Sequence, residues 1–167
     1  MFSDESHYLE LAACFVRGHH PDLAGGDPSA ILAAAAQRGT RLYPFKRSTE
    51  LPRVRRILGM VQQLHPDSLL DIGSGRGVFL WPLLDRCPWL PVTAIDANPQ
   101  RAADLDAVRR GGWAQLQSHC MDDARLDFAA ASFDVVTVLE VLEHVADPLP
   151  VAREIVRVAR LASPRVV

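Results

Sequence analysis

The stretch Ser68-Leu69-Leu70-Asp71-Ile72-Gly73-Ser74-Gly75-Arg76-Gly77 decides the fold. Its first half is a short apolar run, the pattern of a strand buried on both faces. Its second half sets glycines at alternate positions before a helical segment from about Val78 to Arg86, which Pro82 is expected to bend. Glycines let the backbone turn tightly and approach a ligand that a Cβ would exclude. A helix amino terminus behind them offers free N–H groups and roughly half a positive charge, suited to a carboxylate or phosphate.

Downstream, the same alternation repeats. Val92-Thr93-Ala94-Ile95 reads as a second strand, and Asn98-Pro99 opens a helix to about Arg110. Residues 114–119 predict a third strand and Phe133–Leu139 a fourth. Asp147-Pro148 then caps a helix with apolar Val151, Ile155, Val156 and Val158. Strands alternating with helices predict an α/β fold with a parallel sheet covered on both faces. Such sheets bind ligands beyond the carboxyl ends of their strands, where strand order reverses. Upstream, apolar spacing predicts a helix over 5–17, followed by a turn-rich segment at 18–26. Asp27-Pro28 starts a helix that runs to Gly39. After the Tyr43-Pro44-Phe45 connector comes a third helix, capped by Ser48 or Thr49 and ending near Leu64. The chain thus divides into an amino-terminal helical segment, 1–48, and an α/β domain, 49–167.

Composition narrows the classes. With 167 residues, 49% hydrophobic, 23% charged and a net charge of −2, the chain can bury a core and is not disordered, collagenous or coiled-coil. No apolar run reaches the roughly 18 residues of a membrane span, and the start lacks the basic residues of a secretory leader. Three widely spaced cysteines, Cys14, Cys87 and Cys120, argue against a disulfide framework and for a reduced, cytoplasmic setting. The small net charge gives no global nucleic-acid signal. Every basic residue except Lys46 is Arg, which reads as genomic base composition.

An acid, Asp96, closes the second strand nineteen positions after Gly77, where a carboxylate can accept both hydroxyls of an adenosine ribose. A dinucleotide loop would want glycine at position 78, and this chain has Val78. The pattern Asp-x-Gly-x-Gly-x-Gly instead closely resembles the class I S-adenosylmethionine-dependent methyltransferases. The likeness continues through Asp123-Ala124, Ser132–Val136, Leu139–Val145 and the helix Ala152–Ala159. It implies a Rossmann-like three-layer sandwich and transfer of a methyl group from S-adenosylmethionine to an O, N or C acceptor on a small molecule, leaving S-adenosylhomocysteine. It also implies roles. Asp71, Gly73, Ser74, Gly75 and Gly77 would surround the methionine part of the cofactor. Asp96 with Ala97 would meet the ribose, Asp123 with Ala124 the adenine amino group, and Glu140 would line the site. Asp122 competes for the adenine role, and the Ala after Asp123 favours Asp123. In this family the core sheet normally has seven strands, whereas Arg165-Val166-Val167 ends as the fifth would begin. The expectation is a shortened chain, or a homodimer that covers the exposed edge.

Glu140, Glu143 and His144 are the one constellation with chemistry beyond binding. On a helix they would share a face, and His144, oriented by Glu143, would be a general base on an acceptor hydroxyl. Alternatively all three would hold a divalent cation, as a similar Glu-x-x-Glu-His does in small-RNA 3′-end ribose methyltransferases. Quinone-biosynthesis O-methyltransferases carry a similar motif. The plainer alternative has Glu140 lining the cofactor site while His144 satisfies a backbone carbonyl. The basic stretch Arg38, Arg41, Lys46, Arg47, Arg53, Arg55 and Arg56 lies where the family places substrate-covering elements. It would hold a polyanion such as RNA, with Tyr43 and Phe45 stacking on a ring, or form a solvated helix face. His19-His20 and the cysteines show no ligand spacing, and Trp81, Trp89 and Trp113 are expected to pack helices onto the sheet. An RNA-modifying methyltransferase, a cofactor-binding but inactive domain, and an NAD-dependent oxidoreductase, the last disfavoured by Val78, are the alternatives.

Overall fold

The computed structural model describes residues 4–23, 25–40 and 51–160. Three of its helices start by the same local device. At α2 (Pro28–Gln37) the Asp27 carboxylate accepts from the Ser29 and Ala30 N–H groups. At α5 (Pro99–Arg110) Asn98 accepts from Gln100 and Arg101, and at α6 (Pro148–Val158) Asp147 accepts from Leu149. In each case proline occupies the first helical position, whose N–H has no partner within the helix anyway. The first helix, α1, runs Asp4–His19, and α3 runs Pro52–Leu64. The expected caps of α3, Ser48 and Thr49, and the expected fifth strand at 165–167 lie outside the described residues. Helix α4 spans Leu80–Arg86, later than the sequence predicts. Pro82 therefore falls in its first turn, where no intrahelical N–H is required and a proline is tolerated.

Strands β1 (Leu69–Ile72), β2 (Val92–Asp96), β3 (Leu116–Cys120) and β4 (Val135–Val138) form one parallel sheet in the order β3-β2-β1-β4. Asp71 pairs in register with Ala94 on one side and Thr137 on the other. The chain steps outward from β1 to β2 and β3, then returns to place β4 on the opposite side, so the crevice expected at a strand-order reversal lies between β1 and β4. Beyond β4, an isolated parallel bridge joins Phe133 to Ala159, and the Arg160 N–H donates to the Phe133 carbonyl at 2.6 Å.

Period-two alternation sends the side chains of β1 to two different layers. Leu69 joins a large buried cluster with Leu80, Leu83 and Leu84 of α4, Leu105 and Val108 of α5, and Leu11, Phe15 and Val16 of α1. Leu70 and Ile72 face a smaller cluster with Ile95, Leu126, Phe133 and Val158. Helix α1 is thus part of the main core. It crosses α5 so closely that a Cβ at Gly18 would overlap the Ala107 carbonyl, and one at Gly111 would overlap that of Cys14. Arg110 seals the crossing by donating to the Gly18 carbonyl at 2.8 Å. Of the tryptophans, Trp81 is buried in the core as expected, while Trp89 is 43% exposed and stacks on His65 with ring centroids 4.7 Å apart. The turn after α4 ends the helix before Trp89 can reach the sheet, which corrects its expected role. No described helix is long and apolar enough to cross a membrane.

The α1–α5 crossing predicts a contrast between two glycines. Gly18→Ala should lower the free energy of unfolding by roughly 1–3 kcal/mol through overpacking. Gly59→Ala on α3, where a Cβ meets nothing, should raise it by roughly 0.5–1 kcal/mol. Urea denaturation of both variants checks the pair.

Candidate functional site

The carboxyl end of β1 delivers Asp71 into a buried position. One of its oxygens accepts from the Ser74 hydroxyl at 2.7 Å and the other from the Thr137 hydroxyl of β4 at 2.8 Å. Burial dominates its titration and pushes the carboxyl up to about 6; the two hydroxyls pull the other way, and nearby Asp96 adds to the rise. The chain then turns through Gly73, Gly75 and Gly77, with φ of 69°, 57° and 74°, in the left-handed region that side chains with a Cβ avoid. The Gly73 and Ser74 N–H groups donate to the Ile95 carbonyl at 2.9 and 3.1 Å, tying the loop to β2. Gly77 is needed for space as well as for φ, because a Cβ there would enter the Trp81 indole.

Asp96 ends β2 as a buried carboxylate. It accepts from the Gly75 N–H at 2.9 Å and from the Asn98 N–H at 2.8 Å, with the Arg101 guanidinium 3.8 Å away. A carboxylate has about four lone-pair positions, so each oxygen keeps capacity for a further donor. Ala97 beside it is exposed. After β3, Asp122 is exposed and uses one oxygen to accept from the Ala124 N–H at 2.9 Å. Asp123 is half-buried, and its Oδ1 is buried without a hydrogen-bond partner. Burial, then the charges of Asp96 and Asp122, raise its carboxyl above the usual range. Only Asp123 of the two therefore carries an unsatisfied acceptor. Its loop is fastened from below: Leu126 N–H donates to Glu154 at 2.8 Å, and Arg157 donates to the Leu126 and Phe128 carbonyls at 2.8 and 2.7 Å. The Arg157 guanidinium beside Glu154, together with that N–H, holds the Glu154 carboxyl down at about 2.

A cleft of about 260 Å³ opens beyond the carboxyl ends of β1 and β4, lined by Asp71, the Gly73–Arg76 loop, Glu140, His144, Arg53 and Arg101 among others; Asp96 and Asp123 lie beside it and are not part of its lining. Glu140 has φ of 55°, a left-handed conformation uncommon outside glycine. That backbone turn prevents the helix expected over 140–144. Only a single 3-10 turn forms, Leu142–His144. Glu140 and His144 line the cleft, whereas Glu143 is exposed and does not. Glu140 instead pairs at 2.7 Å with Arg53 of α3. Among the described residues, no group of three or more His, Cys, Asp or Glu side chains is placed to hold a metal ion.

The basic stretch divides in the structure. Arg53 reaches the cleft, Arg38 pairs with Asp22 at 2.5 Å, Arg55 and Arg56 are exposed on α3, and Arg41, Lys46, Arg47, Tyr43 and Phe45 lie outside the described residues. His19 lies 3.7 Å from Asp104, and His20 hydrogen-bonds Thr40 at 3.1 Å. Sequence reading passes over Thr137, Arg76 and Arg101 as site residues. Thr137 did leave a signal: a hydroxyl inside the apolar run Val135–Val138 of a buried strand must find a partner.

A family model described as a methyltransferase domain matches residues 70–162, spanning the sheet, the glycine loop and all the strand-end acids. The chain belongs to the methyltransferase domain family. Ubiquinone biosynthesis O-methyltransferase of Idiomarina loihiensis is 36% identical over 117 residues, 65% of this chain and 45% of that protein. Nocamycin O-methyltransferase of Saccharothrix syringae is 40% identical over 89 residues, 52% of this chain and 31% of its own length. The matched region thus spans under half of these relatives. Among solved structures, a SAM-dependent methyltransferase from Aquifex aeolicus shares the fold with a TM-score of 0.57 at 20% identity, covering 81% of this chain and 69% of that one.

The buried carboxyl of Asp71 carries a pH signature. The folded protein keeps its proton up to about pH 6, whereas an ordinary Asp loses it near 3.8. Stability should therefore fall as pH rises through that window and level off above it, by about 3 kcal/mol at most. Urea denaturation at pH 4 to 8 should show this slope in the wild type, and subtracting the Asp71→Asn curve isolates it from other groups.

Proposed function

We propose that the strand-end crevice binds S-adenosylmethionine and that the protein transfers its methyl group to an oxygen acceptor on a small molecule. The observation that carries this reading is the unpartnered Asp123 Oδ1, set beside Asp96 at the ends of adjacent strands. An adenosine group supplies the donors such a pair lacks: a ribose diol for the spare lone pairs of Asp96, and an exocyclic amino group for Asp123. The glycine loop fits the rest of the cofactor. At Gly75 a Cβ would find only the Gly73 carbonyl, at 3.6 Å, so the loop presents backbone toward the cleft. Burial first, and then the charge of Asp96, raise both Asp71 and Asp123, so hydrogen-bond donors on a ligand would stabilise their ionised forms.

When bound, S-adenosylmethionine supplies a methyl group on a positively charged sulfur, open to in-line displacement. The protein's part is alignment and exclusion of water, and well-oriented reactants save roughly 7–11 kcal/mol. His144 lines the cleft, and among the described residues its ring has no hydrogen-bond partner. It would take the acceptor hydroxyl proton as the new O–C bond forms. The named O-methyltransferases among the relatives support an oxygen acceptor, and the small-molecule products in their names support a small substrate. The free cysteines Cys14, Cys87 and Cys120 support a reducing, cytoplasmic setting.

Calorimetry tests the cofactor. S-adenosylhomocysteine should bind and NAD should not, and Asp96→Ala should weaken S-adenosylhomocysteine by roughly 10–100-fold through loss of charged hydrogen bonds. Tight binding of NAD alone would overturn the reading. For the base, His144→Gln should lower turnover by roughly 10²–10⁴-fold while leaving S-adenosylhomocysteine affinity unchanged. Steady-state assays with labelled methyl on metabolite fractions measure this.

A further inference from the structure

We propose that Trp81 is a positioning residue for the glycine loop and that His7 of α1 holds it in place. This rests on reading the loop as the cofactor cradle. Trp81 is buried in the first turn of α4, directly beneath the loop. Its indole N–H donates to the Arg76 carbonyl at 2.9 Å, and its ring fills the space that a Cβ on Gly77 would need. Its own backbone N–H donates to the Gly77 carbonyl at 3.0 Å. Trp81 therefore holds two consecutive loop carbonyls, Arg76 through its side chain and Gly77 through its backbone, and its ring sets how near the backbone can come. A carbonyl released from the indole would let the 76–77 peptide rotate and carry Gly75 and Arg76, which line the cleft, along with it.

The support behind Trp81 comes from the other end of the sequence. His7, buried on α1, has its Nε2 2.8 Å from the Trp81 carbonyl and its Nδ1 3.7 Å from Asp85. Its ring packs edge-on against Tyr8 and Trp113 at 5.4 and 5.3 Å. Only a protonated Nε2 can donate to that carbonyl, so the contact fixes the protonation of the nitrogen as well as the place of α4. Helix α1 thus props the glycine loop from behind.

Trp81→Phe keeps a ring in the core but removes the N–H, leaving the Arg76 carbonyl without its buried donor. S-adenosylhomocysteine affinity should fall about tenfold, with cooperative unfolding retained. Native affinity in a folded Trp81→Phe protein would overturn the proposal, because a tryptophan that only fills the core moves stability and not binding. In a double-mutant cycle, Trp81→Phe and His7→Phe should be less than additive on affinity, since both act through one indole; additive effects would remove His7 from the proposal. Should Trp81→Phe not fold, the protein with Trp89→Phe and Trp113→Phe retains Trp81 as its one indole. Its emission should shift saturably with S-adenosylhomocysteine, and a flat response would refute the assignment. Failure of the wild-type protein itself to bind S-adenosylhomocysteine would instead overturn the cofactor reading, and this proposal with it.

Discussion

The hydrogen bond from the Gly75 N–H to the Asp96 carboxylate, 2.9 Å long, is the constraint around which the site is organised. It joins the tip of the glycine loop to the end of the neighbouring strand, so the loop has one conformation relative to the sheet. The Asp71 network braces the same loop from the other side, through Ser74 within the loop and Thr137 on β4. Three adjacent strand ends are thereby linked by side chains that a parallel ladder alone would not connect. Such a network is demanding. Three carboxylates lie close enough for Asp96 to raise its neighbours, and a buried carboxylate is stable only where hydroxyls, amides or a ligand satisfy it.

The helices serve this arrangement more directly than their place in the sequence suggests. Helix α1 contributes Leu11, Phe15 and Val16 to the core that also holds Leu69 of β1. Through His7 it also contacts the helix that follows the glycine loop. Helix α6, at the opposite end of the chain, pins the Asp123 loop through Glu154 and Arg157. Helix α3 sends Arg53 across to Glu140 at the cleft. Distant segments thus converge on one crevice, and its geometry depends on the whole packed domain.

What could be read from the sequence was what is encoded locally. The caps Asp27, Asn98 and Asp147, each followed by proline, act within one turn and stand where the pattern placed them. The alternating glycines, the short apolar strands and the acid closing β2 are likewise local signals, and they gave both the parallel sheet and the position of the cleft. Features decided by distant partners stayed hidden. Nothing near His7 announces Trp81, seventy-four residues on, and nothing near Arg53 announces Glu140. The spacing of Glu140, Glu143 and His144 suggested one helix face because periodicity assumes helical dihedrals. The left-handed backbone of Glu140 removes that assumption and turns Glu143 away. The residue type of Trp89 suggests the core, yet the end of α4 leaves it at the surface on His65.

The central claim is that the strand-end acids complete themselves on an adenosine-bearing cofactor. A crystal structure of the protein with S-adenosylhomocysteine tests it most directly. The ribose hydroxyls should lie at Asp96, the adenine amino group within hydrogen-bond distance of Asp123 Oδ1, and the Gly75–Asp96 bond should be preserved. S-adenosylhomocysteine bound away from β1 and β2, or bound there with Asp123 Oδ1 still unpartnered, would contradict it.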